Sequence, residues 1–236
     1  MSETATATKP KERPILFSGP MVRAILEGRK TVTRRVPSTE VCVNHDEHHP
    51  YAIRDKKALW HTYKTLDEFV ERRSPHGSPG NVLWVRETWR PCWWDEDFVD
   101  VRLEYKADGE KRDVSPSYEV WNPTSLENLH IAVSNQSWVG DDWKPENVKW
   151  RPSIFMPRAA CRLKLRITDV RMERLHEITA AQCIAEGIEI ERSINTACGE
   201  AEAFNKFIEL WDGINSARGY SFESNPYVWV VEFERL

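Results

Sequence analysis

The sequence predicts an α+β domain built on a small β-barrel, with helices at its periphery. Short segments in which apolar and polar residues alternate recur along the chain, as expected for half-exposed strands. The apolar segment 226–233 fits a central strand that is buried on both faces for part of its length. Helical stripes of apolar residues, most of them closed by a glycine, lie between the strands. Many short strands with few helices indicate a barrel-type domain.

Each predicted element carries its own local signal. Ser18 and Pro20 are typical of a helix start, and Gly28 of a helix end. Thr65 and Thr179 each open a capping pattern, with Glu or Gln three residues later. The predicted helices cover 19–27, 66–73, 179–187 and 204–219. The predicted strands cover 14–17, 80–87, 101–106, 162–167 and 226–233.

The domain organisation follows from composition along the chain. Residues 1–12 contain no apolar run, so we expect a disordered tail. Residues 13–236 are expected to form a single domain, because no Gly/Ser/Pro-rich linker marks a boundary. Two loosely patterned stretches, at about 37–79 and 90–149, are expected to be insertions into this domain.

Charge and hydropathy exclude two classes of protein. The 236 residues carry a formal net charge of −4. This argues against a generally basic nucleic-acid coat, because nonspecific phosphate binding needs a basic surface. Any nucleic-acid contact must therefore use a local basic groove. No segment approaches the roughly 20 apolar residues that span a bilayer, so no membrane partner is expected.

The cysteines indicate a reducing compartment. The five cysteines are scattered, odd in number and without a CxxC pattern. This distribution favours free thiols over a disulfide framework. We therefore expect a cytoplasmic protein.

Metal-capable side chains cluster in the segment 42–49. Cys42, His45, His48 and His49 match no established zinc pattern, because a second ligand pair is missing nearby. We expect a solvated loop here, with neither a metal nor another cofactor in the protein.

The stretch 28–35, Gly-Arg-Lys-Thr-Val-Thr-Arg-Arg, concentrates reactive and basic side chains. Lys30 and Thr33 share a side only if the backbone turns or bulges, because an extended strand sends residues three apart to opposite faces. A lysine whose pKa is lowered by burial or nearby cations can deprotonate a threonine and make it a nucleophile. The nearby cations are Arg29, Arg34 and Arg35. The same arginines could instead hold a phosphate, or form a basic solvated turn.

A charged pair ends the predicted strand 80–87. Arg86 and Glu87 lie there between Trp84 and Trp89. Charges at the end of a buried strand are often site residues. A structural ion pair at the barrel rim is the alternative.

A second basic feature is the loop 150–158, which two prolines stiffen. It can present Arg151 and Arg158 beside Trp150 to phosphates and bases. Alternatively, the arginine stems cover an apolar surface. The strand 162–167 that follows has one basic face, which is either a local positive surface or an ordinary solvated face.

One carboxylate needs a partner. Glu186 lies in the last turn of the predicted helix 179–187, where the helix dipole disfavours negative charge. A partner cation is therefore expected, and Lys30 or an arginine is the natural candidate.

Several separated segments resemble the ASCH domain of the PUA-like β-barrel superfamily. They are 25–35, which contains Gly-x-Lys-x-x-Thr-x-Arg, 80–87 and 229–233. The loop 150–158 and the Asn225-Pro226 pair resemble the longer, phage- or prophage-encoded ASCH proteins. The resemblance implies a PUA-like barrel whose cleft, lined by this motif, handles RNA or a modified nucleobase. Both insertions are then additions to the minimal domain.

The chain is also similar to the bacterial N4-acetylcytidine amidohydrolases, whose catalytic Lys, Thr and Glu fall on Lys30, Thr33 and Glu186. The resemblance implies hydrolysis of an acyl amide on a nucleoside-like substrate. Lys30 would be the base, Thr33 the nucleophile, and Glu186 an acid or orienting carboxylate. Arg35 or a backbone amide would stabilise the oxyanion. This chain differs from these enzymes in its length, its Trp-rich insertions and Arg34, where they carry an apolar residue.

Two other hypotheses stay open. In the first, the same cleft is a noncatalytic reader of RNA or modified DNA that holds phosphates and stacks a base. The tryptophans that could stack a base are Trp84, Trp89 and Trp150. In the second, the protein cleaves RNA, although no histidine pair clearly supports acid/base nuclease chemistry. Across these hypotheses, the residues expected to bind substrate or phosphate are Arg29, Arg35, Arg86, Glu87, Trp89, Arg151 and Arg158.

Overall fold

The computed structural model of the chain describes residues 10–43, 47–48, 50–54, 57, 59–94, 101–114 and 148–236. The chain divides into two compact units. The first comprises the described residues of Met1–Arg13, Glu27–Val82 and Leu165–Leu236, and the second those of Pro14–Leu26 and Leu83–Lys164. The predicted α+β class is confirmed, since helices and several small sheets occur together. The described strands form no closed barrel.

The described elements follow the order of the sequence. The strands are β1 (Glu12–Leu16), β2 (Val32–Arg35), β3 (Val41–Val43), β4 (Tyr51–Arg54), β5 (Trp60–Tyr63), β6 (Val82–Arg86), β7 (Trp89–Trp94), β8 (Val101–Tyr105), β9 (Lys111–Val114), β10 (Lys164–Arg174) and β11 (Tyr227–Arg235). The helices are α1 (Gly19–Leu26), α2 (Leu66–Arg73), α3 (Ala180–Ala185) and α4 (Ala197–Asn215). Positions 1–9 of the predicted tail lie outside the described residues, and Glu12 already belongs to β1.

The first unit is organised around the antiparallel strands β10, β11 and β2, in that order. Strand β11 lies between the other two, which confirms the central strand predicted from its apolar sequence. Its residues Val228 to Val231 are buried at every position, because both faces of the sheet are covered. In the register of the sheet, Val231 faces Thr33 and Trp229 faces Arg35.

Helices α3 and α4 cover one face of this sheet. Val32, Val228 and Val230 form a core there with side chains of both helices, including Phe207 and Trp211. Thr179 caps α3 through a reciprocal capping box with Gln182, as the sequence predicts. Helix α4 begins earlier than predicted because Thr196 accepts a hydrogen bond from the backbone N–H of Gly199. A Cβ atom on Gly199 would lie 1.9 Å from the carbonyl oxygen of Ser193, so this close approach requires glycine.

The other face of the sheet is covered by the segment that the sequence predicts as the first insertion. Trp229 stacks on Phe69 of α2, with ring centroids 5.5 Å apart, and Tyr63 meets Phe69 edge-on. Helix α2 has the predicted bounds, and its cap is Thr65. The sequence did not predict the sheet β3–β4–β5, whose strands of three or four residues are too short for a clear alternation.

The second unit contains the sheet β7–β8–β9. Strand β8 alternates buried and more exposed residues, as its sequence predicts, and directs Leu103 and Tyr105 into a core with Trp89 and Met156. Strands β7 and β9 lie in a stretch that was predicted to be irregular. Polar residues dominate β9, so its pattern carries no strand signal.

Two further predictions concern the cysteines, expected as free thiols, and the helices, none of which was expected to span a membrane. The predicted free thiols are confirmed: the free cysteines are Cys42, Cys92, Cys161, Cys183 and Cys198. Among the residues described, every helix is too short or too polar to cross a bilayer.

Candidate active site

The backbone of the Lys/Thr/Arg stretch is fixed by a glycine turn and by two hydrogen bonds. Gly28 has φ of 78°, a left-handed conformation that glycine adopts without strain. The N–H of Thr31 donates to the carbonyl oxygen of Ala185 at 2.9 Å, and the N–H of Phe233 donates to Thr31 at 2.9 Å. These bonds hold Thr31 between α3 and β11, immediately before β2 begins at Val32.

Lys30 is buried at the centre of the site, with 2% of its surface exposed. Its ammonium donates to Glu186 Oε2 at 2.7 Å, to the Glu186 carbonyl oxygen at 2.8 Å and to the Val32 carbonyl oxygen at 2.8 Å. Glu186 occupies the C-cap of α3. A partner cation was expected here because the helix dipole disfavours a negative charge at this end of α3. That cation is Lys30, which is 156 residues away in the sequence.

The second oxygen of Glu186 faces another cation. Arg34 Nη1 lies 3.4 Å from Glu186 Oε1, and the Arg34 side chain is only 1% exposed. Its Nη2 donates to Glu173 at 2.7 Å and to Gln182 at 3.0 Å. The carboxylate is thus held from both sides, which fixes its orientation. The sequence did not predict this role for Arg34.

The environment of Lys30 favours its neutral form more than water does. Burial lowers the pKa of Lys30; Glu186 opposes this shift, and the charges of Arg35 and Arg34 add to it. The hydrogen bonds, however, use all three ammonium protons. Lys30 can accept a proton only after it has given one away, and Glu186 Oε2 is a carboxylate acceptor within hydrogen-bond distance.

Thr33 and Arg35 lie on the face of the sheet opposite Val32 and Arg34, because side chains alternate along β2. Thr33 is 3% exposed. Trp229, which faces Arg35 across the sheet, carries the stacked ring of Phe69 on this side. The aromatic segment around α2 therefore covers the face that holds the predicted nucleophile.

Sequence reasoning missed His76, whose pKa is affected by the charge of Arg35. Burial and, as smaller contributions, the charges of Arg35 and Arg13 together lower the pKa of His76 to about 4. The ring is therefore neutral at ordinary pH. His76 lies between α2 and β6 and belongs to no motif, so the sequence carried no signal for it.

Glu87 belongs to a different cluster, in the second unit. It is 1% exposed, and its two oxygens accept from Arg162 at 2.8 and 2.9 Å. Arg162 also pairs with Asp108 at 2.8 Å and with Glu110, and its guanidinium packs on Tyr105 at 4.2 Å. Burial raises the pKa of Glu87, while Arg162 opposes that shift. This geometry is that of a structural ion pair.

The remaining predicted binding residues lie in different surroundings. Arg29 pairs with Glu27 and donates to the Gly187 carbonyl oxygen at 2.9 Å, so it lies near the C-terminus of α3. Arg86, Arg151 and Arg158 all belong to the second unit. Trp89 is 1% exposed and cannot stack a base without unfolding of its surroundings.

Trp150 already carries two cations on its ring. The guanidinium of Arg90 lies 4.5 Å from the ring centroid and the ammonium of Lys106 5.9 Å from it.

Of the candidate metal-binding segment, Cys42 and His48 are described, whereas His45 and His49 lie outside the described residues.

No family model, no curated protein and no solved structure matches this chain.

Proposed function

We propose that the protein is an ASCH-type hydrolase with a PUA-like core that cleaves the acyl amide of an acylated nucleoside or modified nucleobase. The observation that supports this most is the buried 2.7 Å pair of Lys30 and Glu186 beside the strand that carries Thr33. The proposal includes a cytoplasmic location, which the free cysteines support.

Catalysis begins with a proton transfer inside the Lys30–Glu186 pair. The Lys30 ammonium gives a proton to Glu186 Oε2, which leaves a neutral amine and a carboxylic acid. The amine nitrogen lies 2.8 Å from the carbonyl oxygen of Val32, the residue before Thr33. Once substrate binding has brought the two side chains together, the amine takes the proton of Thr33 Oγ1 while this oxygen attacks the acyl carbonyl carbon. The lowered pKa of Lys30 reduces the free-energy cost of the first transfer.

The later steps restore the site. Arg35, which shares the Thr33 face of the sheet, stabilises the oxyanion of the tetrahedral intermediate. The C–N bond breaks, the leaving amine takes the proton held by Glu186, and the acyl group stays on Thr33 as an ester. Water hydrolyses this ester, the carboxylic acid product leaves, and the Thr33 hydroxyl is regenerated.

Arg34 keeps the carboxylate in place during this cycle. Its guanidinium contacts Glu186 Oε1, so the other oxygen stays directed at Lys30. Burial of Lys30, Thr33 and Glu186, each 6% exposed or less, strengthens these electrostatic interactions. A substrate reaches Thr33 only after the side chains that cover it move.

The test is hydrolysis of N4-acetylcytidine and of a panel of acylated nucleosides by purified protein. We expect Thr33→Ala and Lys30→Ala each to lower the turnover about 10²- to 10⁴-fold, because each removes a group that acts in the transition state. Thr31→Ala is the matched control, since its side chain is exposed and its backbone bonds are kept.

Two outcomes would contradict the hydrolase. The first is no release of free nucleoside from any substrate in the panel. The second is turnover that survives both Thr33→Ala and Lys30→Ala. In either case, salt-sensitive oligonucleotide binding that survives Thr33→Ala would indicate a noncatalytic reader.

A further inference from the structure

Strand β6 presents Trp84 and Arg86 on one partly exposed face in the second unit, two residues apart. The guanidinium of Arg86 lies 5.5 Å from the Trp84 ring centroid, and that of Arg158 lies 5.7 Å from the same centroid. Two guanidinium groups are thus gathered around one indole ring. Stacking on an aromatic ring orders these side chains before any ligand binds.

A short loop beside this cluster carries exposed apolar side chains. Ile154 is 56% exposed and Phe155 is 65% exposed, within the 3-10 turn Ser153–Phe155. Arg86 Nη2 donates to the carbonyl oxygen of Ile154, which joins the loop to the arginine cluster. The turn therefore contacts the Arg86 guanidinium directly.

The loop is held on both sides of its tip. Before the tip, the backbones of Trp89 and Arg151 exchange hydrogen bonds of 3.2 and 2.7 Å. After the tip, Met156 is 1% exposed, and its sulfur accepts from the N–H of Glu87 at 3.1 Å. Phe155 is thus an exposed ring on a fixed loop, the arrangement of a contact residue that needs little ordering on binding.

The carboxylates described in the second unit are committed to other arginines. Glu87, Asp108 and Glu110 pair with Arg162, Glu104 pairs with Arg90, and Asp113 pairs with Arg102. The acidic residues of 95–100 and 115–147 lie outside the described residues. The described part of this unit therefore places its carboxylates on cations other than Arg86.

We propose that Arg86, Arg158, Trp84 and Phe155 form a binding surface for single-stranded nucleic acid. The two guanidinium groups bind backbone phosphates, and the Phe155 ring stacks on an unpaired base. A duplex does not fit this chemistry, because its bases present no free face to a side chain. The surface uses no residue of the first unit, so it stands independently of the proposed hydrolysis.

The experiment measures fluorescence anisotropy of 5′-fluorescein-labelled 12-mers of oligo(U) and oligo(dT) and of a 12-base-pair DNA duplex, with the full chain. Phe155→Ala should weaken single-strand binding about 5- to 150-fold, the range for loss of one stacked base. Arg86→Ala and Arg158→Ala should each lower the slope of log Kd against log salt by about 0.7, the value for one phosphate contact. Comparison of the two single strands shows whether RNA or DNA is preferred.

Arg166→Ala is the matched control, because Arg166 is an exposed arginine that pairs with Glu234 on the sheet of the first unit. It should leave binding and salt slope close to wild type. Thermal unfolding of each variant shows whether it is folded, and Phe155→Ala should retain the wild-type Tm because the ring is exposed.

Three results would overturn the surface: no single-strand binding at low salt, equal loss of affinity in Arg166→Ala, or binding that survives Phe155→Ala and both arginine variants. Binding without hydrolysis would support the surface and contradict the hydrolase. Hydrolysis of free nucleosides without oligonucleotide binding would do the reverse.

Discussion

Each unit of the protein buries one carboxylate that the sequence singled out, and the two are held in opposite ways. Glu186 in the first unit lies between two cations, Lys30 and Arg34. Glu87 in the second unit gives both oxygens to Arg162, a single cation that Asp108 and Glu110 also share. Cations are in excess around Glu186, and carboxylates are in excess around Arg162.

This difference in charge balance shifts the pKa values of the two buried cations in opposite directions. Burial lowers the pKa of Lys30, and the extra arginines help it do so. Burial would also lower the pKa of Arg162, but the hydrogen bonds that Arg162 donates to Glu87 and Asp108 raise this pKa above its ordinary value overall. A lysine of lowered pKa can exchange protons, whereas an arginine of raised pKa stays charged and holds its partners. Burial and charge alone therefore do not identify a site.

The largest expected effect is on the second unit. Arg162→Met should lower the free energy of unfolding by about 3–5 kcal/mol, because it leaves the buried Glu87 without its cation. Urea denaturation at neutral pH measures this. Arg166→Met is the control, and should cost less than about 1 kcal/mol because its pair with Glu234 is exposed. A small loss in Arg162→Met would show that Glu87 is not held as described.

Lys30→Met should destabilise less, by about 1–3 kcal/mol, since Glu186 keeps Arg34 at 3.4 Å. The double variant Lys30→Met/Arg34→Met should cost more than the sum of the two single variants, because it removes both cations from one buried carboxylate. Denaturant unfolding of the wild type, Lys30→Met, Arg34→Met and the double variant completes this double-mutant cycle. Additive losses would mean that the two cations do not share Glu186.

The smallest expected effect is on the pH dependence of the free energy of unfolding, to which His76 contributes. The folded-state pKa of His76, about 4, lies below the ordinary value of 6.5. The unfolded chain therefore binds more protons, and this contribution to stability is present above pH 6.5 and lost as the pH falls toward 4. His76→Gln should remove about 1–2 kcal/mol of this dependence, with partial solvent screening allowed for.

The measurement for His76 is the free energy of unfolding of wild type and variant at several pH values between 4 and 7. His48→Gln is the control, because His48 is exposed. Parallel pH profiles for wild type and His76→Gln would contradict the assignment. They would show that burial and the charges of Arg35 and Arg13 do not lower the pKa of His76 in the folded protein.

Local sequence signals predicted most long elements. The alternation in β8, the apolar run of β11 and the caps at Thr65 and Thr179 all gave elements where they were expected, because these signals act within a few residues. The sheet β3–β4–β5 was missed. Its short strands are held by pairing with one another, and pairing partners are not visible in a local window.

The sequence by itself determined the α+β class and the free cysteines, and it singled out the Lys/Thr/Arg stretch around Lys30. It also named Glu186 and the need of this carboxylate for a cation. Only the tertiary structure decided that Lys30 and Arg34 share that role and that Glu87 belongs to an ion pair. It also brought His76 near Arg35. The physical reason is that burial and charge balance depend on residues far apart in the chain, whereas helix caps and strand alternation depend on neighbours.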